Sequence, residues 1–367
     1  MFMCGNLFYR KLLNKKILKN NVMDTINSIL LVGKISSTAY TYASSFERAF
    51  QTLGYNVATF NTKQHFVPNY KLLAPLNNYL CNVQLIRTVK QHKPDLIFFL
   101  KADSISHKTL RTIKQISKAK LVHFYPDNPF SFWNGNSNKN VLLSLPLFDD
   151  FLIWSNMLMP ALEAAGAQHV SYFPFAYDQT IFEQEITISE HERERYTADV
   201  SFVGTWEPER AWWLKQLRKR MPHIKLAIWG NGWGHEQCGP LGPYIKGPAI
   251  YPPESIKAFR MSTINLNFIR KQNRTSHNMR TFELPASKSF MLTQHSFEQA
   301  HELFEENKSI VCFETIDELV EKITFYLAHD VERQAIIKRA FAQAQHYWLS
   351  VVLQNFLLKF GDKKPNP

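Results

Sequence analysis

Residues 262–293 read STINLNFIRKQNRTSHNMRTFELPASKSFMLT, and this segment carries the most informative local pattern of the chain. The alternating apolar residues Ile264, Leu266 and Phe268 predict a strand, and a second apolar run at 290–292 predicts another. Between them lies a polar segment, 270–280, with four cations and no acid, followed by a short helical signal that carries Glu283. The pattern predicts a strand–loop–helix–strand unit, which is typical of open α/β sheets.

The loop of such a unit lies at the carboxyl edge of its sheet, where open α/β sheets bind ligands. The amino end of the helix that follows presents free backbone N–H groups, which suit a phosphate. The cations of the loop favour the same kind of ligand; they are Arg270, Lys271, Arg274 and Arg280. A solvated loop that is basic but binds nothing is the alternative.

The segment 278–286, NMRTFELPA, resembles a signature of the CgeB-type (spore-maturation-protein-like) glycosyltransferases, which have the two-domain GT-B architecture. The resemblance continues at 199–205 (DVSFVGT), 208–210 (PER), Phe304, 313–319 (FETIDEL), 323–327 (ITFYL) and Glu332-Arg333. It covers the C-terminal half well and the N-terminal half loosely. The resemblance implies an α/β protein with two doubly wound, Rossmann-like domains that face a cleft, and transfer of a sugar from a nucleotide donor.

Length and composition agree with two globular domains, since the chain has 367 residues, 45% of them hydrophobic. The formal charge of +12 favours an acidic partner, such as nucleotide phosphates, an anionic glycan, a membrane surface or nucleic acid. The four cysteines have no CxxC spacing, which indicates reduced thiols in a cytoplasmic protein. No apolar run reaches the length of a membrane span.

Alternating strand and helix patterns predict five regions along the chain. A basic extension, 1–22, is either a peripheral membrane-binding helix or a loose segment upstream of a true start at Met23. Two domains follow, at 23–178 and 199–345, with a linker at 179–198 and a long Gly/Pro-rich loop at 230–253. The resemblance implies that the first domain is on the acceptor side and that the second binds the nucleotide sugar. A final helix is predicted from Val331 to about Lys359. Its last part lies in the C-terminal region 346–367, which is predicted to cross back to the first domain.

Gly204 and Thr205 end a predicted strand, and Pro208 suits the first turn of the next helix. A glycine without a side chain lets a diphosphate approach the backbone, and Arg210 offers a planar fork of donors to its oxygens. The resemblance implies a phosphate-binding cation at this place. A surface arginine on an amphipathic helix is the alternative.

Arg280 and Glu283 lie three residues apart and so on one face of a helix. The resemblance implies that Glu283 accepts hydrogen bonds from the ribose hydroxyls of the donor, and it assigns Asn278 to the same donor site. A simple ion pair between Arg280 and Glu283 is the alternative.

The segment departs from the wider superfamily in three ways. Thr275 stands where a second glutamate is common, and Ser287-Lys288-Ser289 replaces the usual glycine after the helix. Pro285 removes a backbone donor, which predicts a short or kinked helix. These departures leave the donor sugar open.

Two further groups of residues are candidates. Asp127, in the ring-rich segment 123–130 (HFYPDNPF), can act as a base toward an acceptor hydroxyl, although Asp-Asn-Pro is also a common turn. Trp229 or Trp233 can stack on the nucleotide base, although Trp229 can equally pack in the core. Neither a P-loop nor a GxGxxG fingerprint is present, because the required glycines are absent or wrongly spaced.

The resemblance, together with these candidate residues, implies a metal-independent glycosyltransferase in which Arg210, Arg280 and Asp127 are catalytic. No cofactor is expected, because the nucleotide sugar is a substrate; its acceptor is an unknown glycan, lipid or protein. A non-catalytic nucleotide-sugar- or glycan-binding protein on the same scaffold is the second interpretation. A basic nucleic-acid-binding protein is the third, but no basic stripe or aromatic RNA motif supports it.

Overall fold

The computed structural model describes residues 26–35, 41–131, 139–234 and 239–359. They form two parallel sheets of six strands each, with helices on both faces. This arrangement confirms the predicted α/β class and the two doubly wound domains. The basic extension 1–22, Met23 and the tail from 360 onward lie outside the described residues.

The first sheet has the strand order β2-β1-β3-β4-β5-β6. Its strands are β1 (Ser28–Gly33), β2 (Asn56–Asn61), β3 (Leu96–Leu100), β4 (Lys120–Tyr125), β5 (Asp150–Ile153) and β6 (Val170–Tyr172). Its helices are α1 (Tyr42–Thr52), α2 (Ala74–His92), α3 (His107–Ile116), α4 (Lys139–Ser144) and α5 (Met159–Ala164), with 3₁₀ turns at Lys71–Leu73, Leu145–Leu147 and Asn156–Leu158. The central strands β3 and β5 are apolar, apart from Asp150 at the start of β5, because helices cover both faces of the sheet.

The second sheet has the order β12-β11-β10-β7-β8-β9. Its strands are β7 (Ala198–Val203), β8 (Leu226–Trp229), β9 (Ile245–Gly247), β10 (Ser262–Asn267), β11 (Met291–Gln294) and β12 (Val311–Phe313). The strand order reverses between β7 and β10, and such a switch point opens a crevice at the carboxyl edge of the sheet. The predicted strand–loop–helix–strand unit is β10, the helix α10 (Arg280–Ala286) and β11.

Two short helices, α6 (Gln179–Phe182) and α7 (Glu190–Tyr196), lie between the sheets in the chain. The helices that follow are α8 (Pro208–Arg220), α9 (Glu254–Met261), α10 (Arg280–Ala286), α11 (Ile316–Ala328), α12 (Asp330–Ala344) and α13 (Leu349–Lys359). Three further 3₁₀ turns span Gly239–Tyr244, Lys271–Asn273 and Gln345–Tyr347, and a π-helix spans Glu298–Leu303. Among the described residues, no helix is both long and apolar enough to cross a membrane.

Two element predictions were wrong. The final helix is not continuous, because the chain leaves the helical conformation at Trp348 and pairs there with the backbone of Tyr177. Leu349 N–H donates to Tyr177 O at 2.9 Å, which separates α12 from α13 and turns α13 toward α1. The long loop predicted at 230–253 contains β9, a strand too short for a pattern to reveal.

One cluster of buried apolar residues fills both faces of the first sheet and continues into α9, α10 and α13. A second cluster lies between the second sheet and the helices α8 and α11. The apolar core therefore runs without a break from the first sheet to the elements beside the crevice. This continuity holds the two carboxyl edges against each other.

Candidate active site

A cavity of about 500 Å³ lies between the carboxyl edges of the two sheets. Seven of the eight predicted site residues line it: Asp127, Gly204, Thr205, Arg210, Asn278, Arg280 and Glu283. The remaining one, Trp229, does not. The switch point of the second sheet and the end of β4 in the first therefore converge on one space.

The glycine at the end of β7 sits in a tightly packed backbone corner. Gly204 N–H donates to Trp229 O at 2.8 Å, which continues the β7–β8 ladder into the loop. A Cβ on Gly204 would lie 2.6 Å from the ring of Phe202, and a Cβ on Gly230 would lie 1.8 Å from Gly204 O. Gly230 therefore needs glycine for a close backbone approach that shapes the wall of the cavity, whereas a side chain at Gly204 would have to displace the Phe202 ring.

Arg210 is the most confined cation of the site, with 11% of its side chain exposed. One terminal nitrogen donates to Thr205 O at 2.9 Å, and the guanidinium lies 5.6 Å from the centre of the Phe202 ring. Its buried Nε has no hydrogen-bond partner. Burial lowers the pKa of Arg210 to about 10, Glu207 opposes this shift, and Arg270 and Arg280 add to it.

The acidic partners of the basic loop come from elsewhere in the chain. Arg270 Nε lies 2.6 Å from a Glu207 carboxylate oxygen. Arg274 lies 2.8 Å from Glu209. The loop is therefore bound to the start of α8, and this brings Arg270 beside Arg210.

Arg280 and Glu283 form an ion pair at 2.5 Å, the alternative that the sequence left open. Both residues nevertheless face the cavity, and the Arg280 guanidinium lies 4.7 Å from the centre of the Phe259 ring. Burial raises the pKa of the Tyr42 phenol, and the negative charge of the nearby Glu283 carboxylate raises it further. Glu283 is thus a buried carboxylate shared between the two domains.

Asn278 serves the structure of the loop. Its amide nitrogen donates to Asn267 Oδ1 at 2.9 Å, and its amide oxygen accepts from Thr281 N–H at 3.2 Å. The side chain thereby holds the end of β10 against the first turn of α10. This positions Arg280 and Glu283 toward the cavity.

On the first-domain side, the parallel neighbours β3 and β4 bring Lys101 and Asp127 together as an ion pair. Gln272 Nε2, from the second domain, donates to Asp127 Oδ1 at 3.4 Å. Asp103 lies close by, and burial raises the pKa of its carboxyl to about 6, against the opposing effect of Lys101. Asp127 therefore lies where the two domains meet.

Neither Trp229 nor Trp233 forms a stacking platform in the cavity. Trp229 is fully buried and packs against Tyr196, with ring centres 5.9 Å apart, so its core-packing alternative is the one observed. Trp233 is 7% exposed and donates from its indole N–H to Gly204 O at 2.8 Å. Tyr251 lines the cavity instead and is 63% exposed.

Sequence reasoning missed four residues at or beside the site: Tyr42, Asp103, Tyr251 and Gln272. Only Asp103 carries a usable signal, because it follows the end of a buried strand just as Asp127 does. The other three reach the cavity through the packing of the two domains, which no local pattern encodes.

Residues 209–356 match the sequence model of a family described as glycosyl transferase-like. The chain is similar to spore protein CgeB of Bacillus subtilis (strain 168), with 25% identity over 267 residues, which cover 67% of this chain and 76% of that protein. Its fold is similar to that of sucrose-phosphate synthase from Thermosynechococcus elongatus, with a TM-score of 0.64, 12% identity and coverage of 91% and 98% of the two chains.

Anabaena HepE, solved in complex with UDP-glucose, is similar with a TM-score of 0.63, 14% identity and coverage of 91% and 99% of the two chains. The matches confirm the resemblance to CgeB-type glycosyltransferases and the GT-B architecture. The match of residues 209–356 to a glycosyl transferase-like family agrees with the predicted glycosyltransferase.

Proposed function

We propose that the protein transfers a sugar from a nucleoside diphosphate sugar to a hydroxyl acceptor in the cavity between its domains, without a catalytic metal ion. HepE, which shares the fold, was solved with UDP-glucose, so a uridine donor is the first to test. The nucleoside diphosphate leaves with an added negative charge, and the site has to stabilise that charge.

One observation carries the proposal: the buried Nε of Arg210 has no partner, in a cluster that Arg270 and Arg280 complete. Three guanidinium groups facing one cavity repel one another, as their effects on the pKa of Arg210 show. A diphosphate in the cavity would relieve this repulsion and accept the unused donor.

The same cluster supports a metal-independent reaction. Guanidinium groups can neutralise the charge that grows on the leaving phosphate, which is the task a divalent cation performs in other transferases. Arg210 suits this task because its fixed position requires no reorganisation during the reaction.

The remaining contacts with the donor follow from the walls of the cavity. Glu283 offers a carboxylate that can accept hydrogen bonds from two ribose hydroxyls. Tyr251 presents an exposed ring on the same wall, where a nucleobase can stack. On the opposite wall, we propose that Asp127 takes the proton of the acceptor hydroxyl.

A panel of uridine, guanosine, adenosine and thymidine diphosphate sugars, screened by thermal shift and by release of free nucleotide, tests the proposal. We expect one nucleotide sugar to raise the melting temperature and to release its nucleoside diphosphate when an acceptor is present. Turnover should be unchanged by added Mg²⁺ or Mn²⁺. Activity that EDTA abolishes and Mg²⁺ restores would overturn the metal-independent reaction.

Two variants separate binding from turnover. Glu283→Gln keeps the shape of the side chain but accepts hydrogen bonds more weakly, so donor affinity should fall by ~1–3 kcal/mol. Arg210→Ala should lower kcat more than donor affinity, because the phosphate charge grows in the transition state.

Lys219→Ala is the matched control for Arg210→Ala, since Lys219 is an exposed cation on the same helix. We expect it to leave both donor affinity and kcat unchanged. The assignment of the cavity is wrong if Glu283→Gln and Arg210→Ala both bind and transfer like the wild type.

A further inference from the structure

Three potential ligands lie together just beyond the carboxyl end of β11, outside the arginine cavity. His295 follows β11, His301 lies on the π-helix Glu298–Leu303, and Glu306 comes three residues after that helix. One ligand atom from each lies within 4.8 Å of the other two. We infer that these side chains form a binding site for a divalent transition metal ion, with Zn²⁺ as the favoured ion.

A fourth residue orients the first. His295 Nδ1 lies 3.0 Å from a Glu314 carboxylate oxygen, and His295 Nε2 lies 3.9 Å from a Glu306 carboxylate oxygen. An Nδ1–H that donates to Glu314 leaves the lone pair of Nε2 directed toward Glu306. A histidine ligand held in this way by an outer carboxylate is the usual arrangement at zinc sites.

The donor set selects the class of ion. Two imidazole nitrogens and one carboxylate suit Zn²⁺ and its neighbours in the first transition series, whereas Ca²⁺ and Mg²⁺ prefer oxygen ligands alone. Zinc bonds of about 2.0–2.2 Å require ligand atoms roughly 3.3 Å apart in tetrahedral geometry. His301 is exposed and Glu306 partly exposed, so both side chains can close the remaining gap.

The three ligands belong to a segment that supports the active-site loop. Gln294 Oε1 accepts from Ile269 N–H at 2.8 Å, just before the basic loop. Ser296 Oγ donates to Ser276 O at 2.5 Å inside that loop. None of the three ligands lines the cavity. The ion would therefore fasten the end of β11 to the π-helix and the turn after it, and would take no part in sugar transfer.

Isothermal titration calorimetry of the metal-free, untagged full chain with Zn²⁺ tests the inference. Co²⁺, bound in place of Zn²⁺, serves as a spectroscopic probe. We expect one equivalent to bind, the melting temperature to rise, and Co²⁺ to give the intense visible bands of a four- or five-coordinate ion. His301→Ala and Glu306→Gln should each abolish the bands. Both residues lie at the surface, so the variants should fold.

Glu314→Gln should keep one equivalent of Zn²⁺ but weaken its binding by about 10–100-fold, because it removes only the orienting carboxylate. His223→Ala is the control, since His223 is an exposed histidine on the turn between α8 and β8. It should bind Zn²⁺ like the wild type. Zn²⁺ binding that is absent, or that survives His301→Ala and Glu306→Gln unchanged, would overturn the inference.

Discussion

Arg210 lines the cavity and Asp103 lies beside Asp127 on the first-domain side, and burial shifts the pKa of both groups. Arg210 lies near Glu207, and its charge is retained at neutral pH even though burial lowers its pKa to about 10. Asp103 is stabilised in its neutral form, because burial raises its pKa to about 6. The first residue is suited to an anion, whereas the second changes its charge near neutral pH.

The raised pKa of Asp103 predicts a pH-dependent gain in stability from Asp103→Asn. The folded protein binds this proton more tightly than the unfolded chain, so the ionised carboxylate costs stability above about pH 6. That cost fades as the pH falls through 6 toward 4, where both states are protonated. We expect Asp103→Asn to be more stable than the wild type at pH 8 by on the order of 1–2 kcal/mol, allowing for solvent screening.

Urea unfolding of both proteins between pH 4 and pH 8 measures this difference directly. The gap should close near pH 4, because asparagine resembles the protonated carboxyl. Glu194→Gln is the control, since Glu194 is an exposed acid on α7 and should show no such trend. A stability difference that stays constant across the range would contradict the prediction.

Single residues at the end of a predicted strand could be read from the sequence, because parallel strands bring their carboxyl ends to one edge. Gly204 was expected at such a strand end, and Arg210 and Glu283 were expected on the helices that follow two of the strands; all three line the cavity. The carboxylates that hold the basic loop could not be found, because the loop contains no acid and its partner Glu207 lies 63 residues before Arg270 in the chain. Such pairing depends on how β7 and β10 are placed in the sheet.

Among the elements, the ends of β7 and β8 approach so closely that Gly230 has no room for a side chain. We expect Gly230→Ala to destabilise the protein by about 2–4 kcal/mol, because its Cβ would meet the rigid backbone at Gly204 O rather than a movable side chain. It should also weaken donor binding, because Gly204 lines the cavity. Thermal melts and donor titration measure the two effects.

Gly234→Ala is the matched control, because a Cβ there meets nothing within 4 Å. This variant should melt and bind like the wild type. If Gly230→Ala does so too, the close approach of the two strand ends does not shape the site.

The shortness of α10 could be predicted from Pro285, and the helix does end at the next residue. The turn after it shows how the chain replaces the usual glycine: Lys288 adopts a left-handed conformation with φ of 55°. The break between α12 and α13 could not be predicted, because it depends on pairing with Tyr177, far away in the chain.

At the scale of the whole molecule, the two domains are joined by buried polar contacts as well as by apolar contacts. His277 is fully buried, and its Nε2 accepts from Phe175 N–H at 2.9 Å. Glu298, which lies beside His277, also accepts from the hydroxyl of Tyr172 in β6. The number of domains and their class followed from alternating patterns, but this interface did not, because its members lie about 100 residues apart.

The continuous core predicts that the two domains unfold together. α13 comes last in the chain, yet Phe356 packs on Phe173 of the first domain, with ring centres 6.3 Å apart. Differential scanning calorimetry should therefore show one transition.

Phe356→Ala should lower the midpoint temperature of that transition by about 5 °C. Losing a buried phenylalanine costs about 3–4 kcal/mol, and the large unfolding entropy of a chain of this size keeps the temperature shift small. Leu358→Ala, at a half-exposed position on the same helix, should shift it far less. Two separate transitions, of which Phe356→Ala moves only one, would show that each domain is stable without the other.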